Sequence, residues 1–250
     1  MIPPAIHTLP DGRRIAFRHT PGTGPALVFL PGYKSDMSGS KAQAVMEWAR
    51  AQGRECLLMD YSGCGQSSGD FADGTLWRWA EEVSGLIEAH CSGKVVLIGS
   101  SMGGWLMLLV ALAMPGRVDA LIGIAAAPDF TEWGLTAEVK ATLTAGRTVL
   151  AENPYGPEPT PTHPGFYADA QAHVLLDAPI AFEGPVRLLH GQADADVPWQ
   201  VSIRLAGALR SADVQVQLIK DGDHRLSRPA DIAMLLRAIE TLPRGVADPI

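Results

Sequence analysis

The residues of this chain best suited to covalent chemistry are two serines that lie between glycines. The pentapeptide G-x-S-x-G occurs twice, with Ser67 and Ser101 at its centres. The pentapeptide around Ser101 directly follows an apolar run (KVVLI) and leads into an apolar helical segment, an order typical of a sharp strand-turn-helix elbow that exposes a nucleophile. Ser67 lies instead in a glycine- and serine-rich loop, which indicates a structural role. We therefore predict that Ser101 is a nucleophile.

A serine hydroxyl needs a base to take its proton and a third group to orient that base. His224 follows the last predicted strand and is the only histidine beyond position 190, so we predict that it is the general base. The acid is expected after the strand that ends at His190, where the order H-G-x-x-D-x-x-V-P favours Asp194. Asp196 and Asp129 remain alternatives. His190 is predicted to be a hydrogen-bonded structural residue.

Acyl transfer also requires hydrogen-bond donors for the negative oxygen that develops in the transition state. One donor is predicted to be the backbone N–H of Met102, at the start of the helix after Ser101. The other is predicted to be the backbone N–H of Tyr33, in the loop after the apolar run Ala26–Leu30. The Tyr33 ring is expected to pack in a pocket.

Short apolar runs alternate with amphipathic segments along the chain, and this alternation must position these residues. It predicts an α/β fold with a mostly parallel central sheet and helices on both faces. An antiparallel hairpin, Ile6–Leu9 with Arg13–Phe17, is expected at the start. The predicted strands are 26–30, 55–60, 94–98, 118–127, 186–190 and 214–219, and the predicted helices are 39–52, 75–90, 102–114, 198–209 and 228–242.

One region, approximately 129–184, breaks this alternation. It contains the proline-rich stretch Asn153–Pro164, which suits neither a helix nor a central strand. A long irregular insertion in a compact domain is often a lid or a binding loop. We therefore predict one domain, residues 1–250, with a small lid insertion at approximately 129–184.

Composition and missing motifs exclude several classes of function. The 250 residues carry 20 Lys+Arg and 27 Asp+Glu, a formal charge of −7, which disfavours binding to nucleic acid. No apolar run has the length of a signal peptide or a membrane span, so no stable membrane insertion is expected. Three cysteines without a CxxC spacing, and the absence of dinucleotide, phosphate-loop and metalloprotease motifs, argue against a cofactor or a metal. We predict a cytoplasmic monomer or small homo-oligomer.

Two longer motifs narrow the interpretation further. The segments GSSMGGWLM (99–107) and RLLHGxxDxxVPW (187–199), with Asp223-His224-Arg225, resemble the α/β-hydrolase superfamily. More narrowly they resemble the family of abhydrolase domain-containing protein 10 and its bacterial relatives. The similarity runs from about residue 26 to residue 242.

This resemblance implies an α/β-hydrolase fold with a triad of Ser101, Asp194 and His224 and with oxyanion donors from Tyr33 and Met102. The animal member of the family is a mitochondrial enzyme that cleaves palmitoyl-cysteine thioesters and drug acyl glucuronides. The resemblance thus implies a small-molecule ester or an acylated protein as the substrate. This chain departs from that enzyme in showing no evident transit peptide.

We therefore predict a serine hydrolase that cleaves carboxylic esters or thioesters through an acyl-enzyme. Because His224 must be neutral to accept a proton, activity is expected to rise through roughly pH 6–7. One alternative is an acyltransferase that uses the same triad. Another is a ligand-binding member of the fold that has no catalytic activity.

Overall fold

The computed structural model describes residues 3–242, and its centre is an eight-stranded sheet. The strands are β1 (Ala5–Thr8), β2 (Arg14–Thr20), β3 (Thr23–Leu30), β4 (Arg54–Met59), β5 (Val95–Ser100), β6 (Val118–Ile124), β7 (Val149–Ala151), β8 (Thr160–Thr162), β9 (Val186–Gly191) and β10 (Val214–Ile219). The order in the sheet is β1-β2-β4-β3-β5-β6-β9-β10, and β7 and β8 form a separate two-stranded ribbon.

Parallel pairing dominates this sheet. Strands β1 and β2 pair antiparallel, as the predicted hairpin requires, and β2 also pairs antiparallel with β4. Every other pair in the eight-stranded sheet is parallel. The predicted fold class is confirmed. Because parallel strands end at the same edge, the loops after β3, β5, β9 and β10 converge there.

Helices cover both faces of the sheet, which is why its central strands are apolar throughout. They are α1 (Ser40–Ala51), α2 (Leu76–His90), α3 (Met102–Ala113), α4 (Phe130–Trp133), α5 (Ala137–Thr144), α6 (Pro164–Ala172), α7 (Gln200–Ala208) and α8 (Pro229–Glu240). Buried residues of α1 and α8 form the core on one face, and those of α2, α3, α6 and α7 form the core on the other.

Strand β6 ends at Ile124, three residues before the predicted end of the apolar run. Ala125 adopts a left-handed backbone conformation with φ of 44° and cannot continue the strand. The chain bends there because it must pass the turn that carries Ser101. The Ser101 N–H donates to the Ile124 carbonyl, and the Ser101 carbonyl accepts from the Ala127 N–H.

The segment between β6 and β9 contains regular structure that the sequence did not predict. It holds α4, α5, the β7–β8 ribbon and α6. Asp129, an alternative for the acid, fixes this segment to the sheet, since its carboxylate accepts from the N–H groups of Leu175 and Leu176. That the segment is a lid stays a prediction, as does a single domain over 1–250, of which residues 1–2 and 243–250 lie outside the described part.

Candidate active site

Ser101 occupies a strained turn between β5 and α3. Its φ of 55° and ψ of −120° form a conformation that residues with a side chain rarely adopt, and such strain is frequent at functional sites. Neighbouring glycines make the turn possible. A Cβ on Gly99 would lie 2.3 Å from the Gly103 carbonyl oxygen, and a Cβ on Gly103 would lie 2.1 Å from the Leu30 carbonyl oxygen. Only glycine fits at either position.

The structure brings Ser101, His224 and Asp194 together at the carboxyl edge of the sheet. The Ser101 hydroxyl lies 3.1 Å from Nε2 of His224, and Nδ1 of His224 lies 2.9 Å from Oδ2 of Asp194. The three residues follow β5, β10 and β9. The arrangement allows the imidazole to accept the serine proton at Nε2 while its Nδ1–H donates to the carboxylate.

The Asp194 carboxylate is buried and accepts three hydrogen bonds. Oδ1 accepts from the N–H groups of Asp196 and Val197, and Oδ2 accepts from the ring of His224. Nε2 of His190 lies 3.2 Å from the same Oδ2. Burial alone would raise the pKa of Asp194. The contacts with the two histidines nevertheless hold that pKa well below its ordinary value, so the group is a carboxylate at neutral pH.

The other two candidate acids have different partners. Asp196 is exposed, and its carboxylate accepts a hydrogen bond from the Tyr155 hydroxyl. Asp129 accepts from the N–H groups of Leu175 and Leu176, as described above, and burial raises its pKa. Atoms of Asp194, Asp196 and His224 lie within 4.8 Å of one another, close enough for a metal ion. Hydrogen bonds already account for the positions of these three side chains. Asp194 is bonded to His224, His224 to Ser101, and Asp196 to Tyr155.

Both predicted oxyanion donors lie beside Ser101. Met102 is the first residue of α3, where N–H groups have no partner within the helix. The loop with Gly32 and Tyr33 passes so close that a Cβ on Gly32 would lie 3.3 Å from Cβ of Ser101. The Tyr33 hydroxyl points elsewhere and donates to the Pro161 carbonyl of β8, 3.0 Å away. Its ring packs between Phe71, Phe130 and Phe166.

A cavity of about 600 Å³ opens over Ser101 and His224. Some of the residues that line it are apolar, and we call these the apolar wall: Met102, Ala127, Phe130 and Trp133. Others are polar or charged, and we call these the polar wall: Lys34, Ser35, Asp36, Lys41 and Arg225. Burial, together with the nearby charge of Arg225, lowers the pKa of Lys41 to about 8. The cavity can therefore contact both an apolar part and a polar part of one molecule.

Two contacts of this site were not predicted from the sequence, one made by Tyr155 and one by His190. Tyr155 extends from the proline-rich loop between β7 and β8, its hydroxyl contacts Asp196, and the Arg225 guanidinium lies 5.5 Å from its ring centre. No local pattern signals this contact, which spans 41 positions of sequence. His190 was predicted to be a hydrogen-bonded structural residue, but its contact with Asp194 was not. The spacing H-G-x-x-D could have indicated that contact.

Residues 25–148 match the family model described as the alpha/beta hydrolase fold. The chain belongs to the α/β-hydrolase family, and its relatives support a hydrolase activity. It is 39% identical over 237 residues to the human palmitoyl-protein thioesterase ABHD10, mitochondrial, covering 93% of this chain and 78% of that protein. It is 40% identical over 232 residues to the same protein of Mus musculus, covering 91% and 78%.

Solved structures give the same family. The structure of alpha/beta hydrolase domain-containing protein 10 from mouse matches with a TM-score of 0.89 and 37% identity, covering 96% of this chain and 97% of that chain. A protein from Agrobacterium vitis S4 matches with a TM-score of 0.88 and 35% identity, covering 96% and 98%. The resemblance drawn from the sequence motifs is confirmed.

The prediction of a cytoplasmic location is wrong. The animal relatives are named mitochondrial proteins, which contradicts it. Neither the cysteine usage nor the lack of an apolar run of signal-peptide length separates one compartment inside the cell from another. Within residues 3–242, no helix combines the length and the apolar character needed to cross a bilayer.

Proposed function

We propose that this protein is a serine hydrolase that cleaves acyl thioesters, and the corresponding esters, through an acyl-enzyme on Ser101. The observation that carries the proposal is the hydrogen-bonded chain from the Ser101 hydroxyl through His224 to Asp194, with distances of 3.1 and 2.9 Å. Of the three candidate acids, Asp194 is the one whose carboxylate accepts from His224. This order of groups is the minimum that a serine nucleophile requires.

In the proposed mechanism, the Ser101 oxygen attacks the acyl carbonyl carbon while Nε2 of His224 takes the hydroxyl proton. The N–H groups of Tyr33 and Met102 donate to the oxyanion of the tetrahedral intermediate. The carbon–sulfur bond then breaks, and His224 returns its proton to the departing thiolate. Water attacks the acyl-enzyme in the same way, releases the carboxylic acid and restores Ser101. Asp194 stabilises the imidazolium in both halves.

The substrate class follows from the shape of the cavity and from the relatives. An acyl chain would lie on the apolar wall, and the leaving group would lie on the polar wall. The relatives named palmitoyl-protein thioesterases favour a long acyl chain on a cysteine sulfur. We therefore propose a fatty acyl thioester of a protein or peptide as the preferred substrate.

The test is to trap the acyl-enzyme. A synthetic S-palmitoyl peptide is mixed with the protein, the reaction is quenched with acid, and the modified residue is located by mass spectrometry while thiol release is measured. We expect a palmitoyl group on Ser101 and steady thiol release. Ser101→Ala should show neither. Ser67→Ala, altered in the other G-x-S-x-G pentapeptide, should show both.

The same experiment tests the alternatives. Stoichiometric binding of the peptide without thiol release would show a ligand-binding protein and refute the proposal. If an added alcohol or amine captured most of the acyl group in place of water, the protein would be an acyltransferase. An acyl group on a residue other than Ser101 would exclude the proposed nucleophile.

A further inference from the structure

A second histidine lies behind the acid of the proposed triad. His190, in β9, is fully buried. Its Nε2 lies 3.2 Å from Oδ2 of Asp194 and 3.0 Å from the carbonyl oxygen of Val197. The ring therefore contacts the same carboxylate oxygen that accepts from His224. Oδ2 of Asp194 is shared between two imidazoles.

The partners of His190 determine which of its nitrogens carries a proton. A backbone carbonyl can only accept, so Nε2 of His190 is protonated and donates to the Val197 carbonyl. The same N–H group lies beside Oδ2 of Asp194, with 3.2 Å between nitrogen and oxygen. Its other nitrogen, Nδ1, lies 2.7 Å from the hydroxyl oxygen of Ser202, which is also buried. The hydroxyl can donate to Nδ1 of the neutral ring. His190 is thus held at both nitrogens.

The charges around the acid show why this contact matters. The N–H of His190 interacts with part of the negative charge of Asp194. Without His190, all of that charge would stabilise the imidazolium of His224. Other charged or titratable side chains lie at or next to the cavity that His224 lines. They are Lys41 of α1, Tyr155 of the lid loop, Asp196 of the loop after β9, and Asp223 and Arg225.

We propose that His190, held by Ser202, is a positioning residue that fixes the Asp194 carboxylate and limits the negative charge it presents to His224. The inference rests on the proposed function. Without the N–H of His190, Oδ2 would interact more strongly with the His224 imidazolium. The pH at which kcat/KM reaches half its maximum on the acid side would then rise, and the rate would fall because the carboxylate is less well oriented.

The variants separate this role from simple core packing. His190→Phe keeps a planar ring and removes the donor, and we expect kcat/KM to fall about 10- to 100-fold, the usual range for loss of a supporting hydrogen bond. The acid limb of its pH profile, which is the part where kcat/KM falls as the pH is lowered, should also move to higher pH. His190→Gln places an amide N–H near the position of Nε2 and should restore the limb. Ser202→Ala should move it in the same direction as His190→Phe, by less.

The measurement is a set of pH profiles of thiol release with the S-palmitoyl peptide. His19→Phe, which removes a partly buried histidine bonded to Glu55 at another part of the sheet, is the control and should leave the limb unchanged. A slower His190→Phe enzyme with an unmoved limb would mean packing alone and would overturn the inference. If His190→Phe does not fold, the other two variants decide. The inference requires that Ser202→Ala moves the limb. Unmoved limbs in both Ser202→Ala and His190→Gln, with His190→Gln at the wild-type rate, would therefore overturn the inference as well.

Failure of the proposed function would look different. Ser101→Ala is measured in parallel, and thiol release by that variant would refute the nucleophile and, with it, the positioning role. Loss of activity in Ser101→Ala together with wild-type rates and limbs in every His190 and Ser202 variant would refute the positioning role alone.

Discussion

The two G-x-S-x-G pentapeptides have the same residue pattern and opposite environments. The hydroxyl of Ser67 donates to the Asp60 carbonyl at 2.6 Å and accepts from the Ala16 N–H at 2.8 Å. It ties the loop after β4 to β2. The hydroxyl of Ser101 faces the Nε2 atom of His224. One hydroxyl is satisfied by backbone groups, and the other is paired with a base.

The glycines of the two segments differ as well. Gly99 and Gly103 are required because neighbouring backbone atoms leave no room for a Cβ. In the Ser67 segment, a Cβ on Gly65 would lie 2.2 Å from a carboxylate oxygen of Asp60, which is a side-chain atom. A Cβ on Gly69 would meet no atom closer than 3.5 Å, so Gly69 is required only by its φ of 104°. The pentapeptide alone therefore does not identify a nucleophile. The identification depends on the strand before it, the helix after it and the residue that faces its hydroxyl.

The largest expected difference between the segments is in activity. Ser101→Ala should lower kcat by about 10⁴ to 10⁶-fold, because the nucleophile is lost and only binding and the oxyanion donors remain. Ser67→Ala should stay within about threefold of wild type, since its hydroxyl makes structural contacts only. Steady-state thiol release from the S-palmitoyl peptide measures both. Comparable losses in the two variants would remove the distinction.

Adding one methyl group to each segment should give the next largest difference. Gly103→Ala places a Cβ against the Leu30 carbonyl, and we expect the free energy of unfolding to fall by about 3 kcal/mol. Gly69→Ala meets no clash, and only the left-handed backbone costs about 1–2 kcal/mol. Urea unfolding followed by circular dichroism measures both values. Equal losses would mean that the elbow is not tightly packed.

The fold was largely predictable because its signals are local. The apolar runs and the 3.6-residue periodicity of α1, with Ala42, Val45, Met46 and Ala49 on its buried side, define elements without knowledge of their neighbours. The fold class predicted from these signals is confirmed by the sheet topology, and the family predicted from the longer motifs is confirmed by the relatives. The order of Ser101, Asp194 and His224, after β5, β9 and β10, pointed to a triad whose catalytic role stays a prediction.

The elements between β6 and β9, and the choice among the candidate acids, depend on contacts that no local pattern encodes. Helix α4 has 4 residues and α5 has 8, too few for a 3.6-residue periodicity to be recognised in the sequence. Assigning different roles to Asp194, Asp196 and Asp129 required the positions of their partners. These partners are His224 for Asp194, the Leu175 N–H for Asp129 and Tyr155 for Asp196. Those partners lie 30, 46 and 41 positions away in the sequence. Only the folded chain could assign each carboxylate its partner.

Substituting the two serines should change the free energy of unfolding in opposite directions. Ser67→Ala removes a hydroxyl that bridges two backbone groups and should lower the free energy of unfolding by about 1–2 kcal/mol. Ser101→Gly relieves a backbone conformation that costs about 1–3 kcal/mol, so after the entropy cost of glycine it should raise stability by about 1 kcal/mol. Chemical denaturation at pH 7 is the measurement. A destabilised Ser101→Gly would show that the elbow is not strained.

The smallest expected effect concerns the carboxylates beside the two segments, Asp60 and Asp194. Contacts with His190 and His224 lower the pKa of Asp194 despite its burial. The ionised Asp194 therefore stabilises the folded state at pH values above the unfolded-state pKa, which is about 3.9. This stabilisation is lost as the pH falls from there toward the lower pKa of the folded state. Burial raises the pKa of Asp60, although the Met37 and Gln66 N–H groups partly oppose the shift, so its protonation favours the folded state as pH falls.

Removing each charge should therefore change the pH dependence of stability in opposite directions. Between about pH 5 and pH 3, the free energy of unfolding of Asp194→Asn should decline less than that of wild type, and that of Asp60→Asn should decline more. Urea curves at half-unit pH steps measure the two slopes. Parallel slopes in both variants would mean that neither carboxylate is perturbed by its surroundings. Asp194 would then lack the electrostatic support that distinguishes the Ser101 segment from the Ser67 segment.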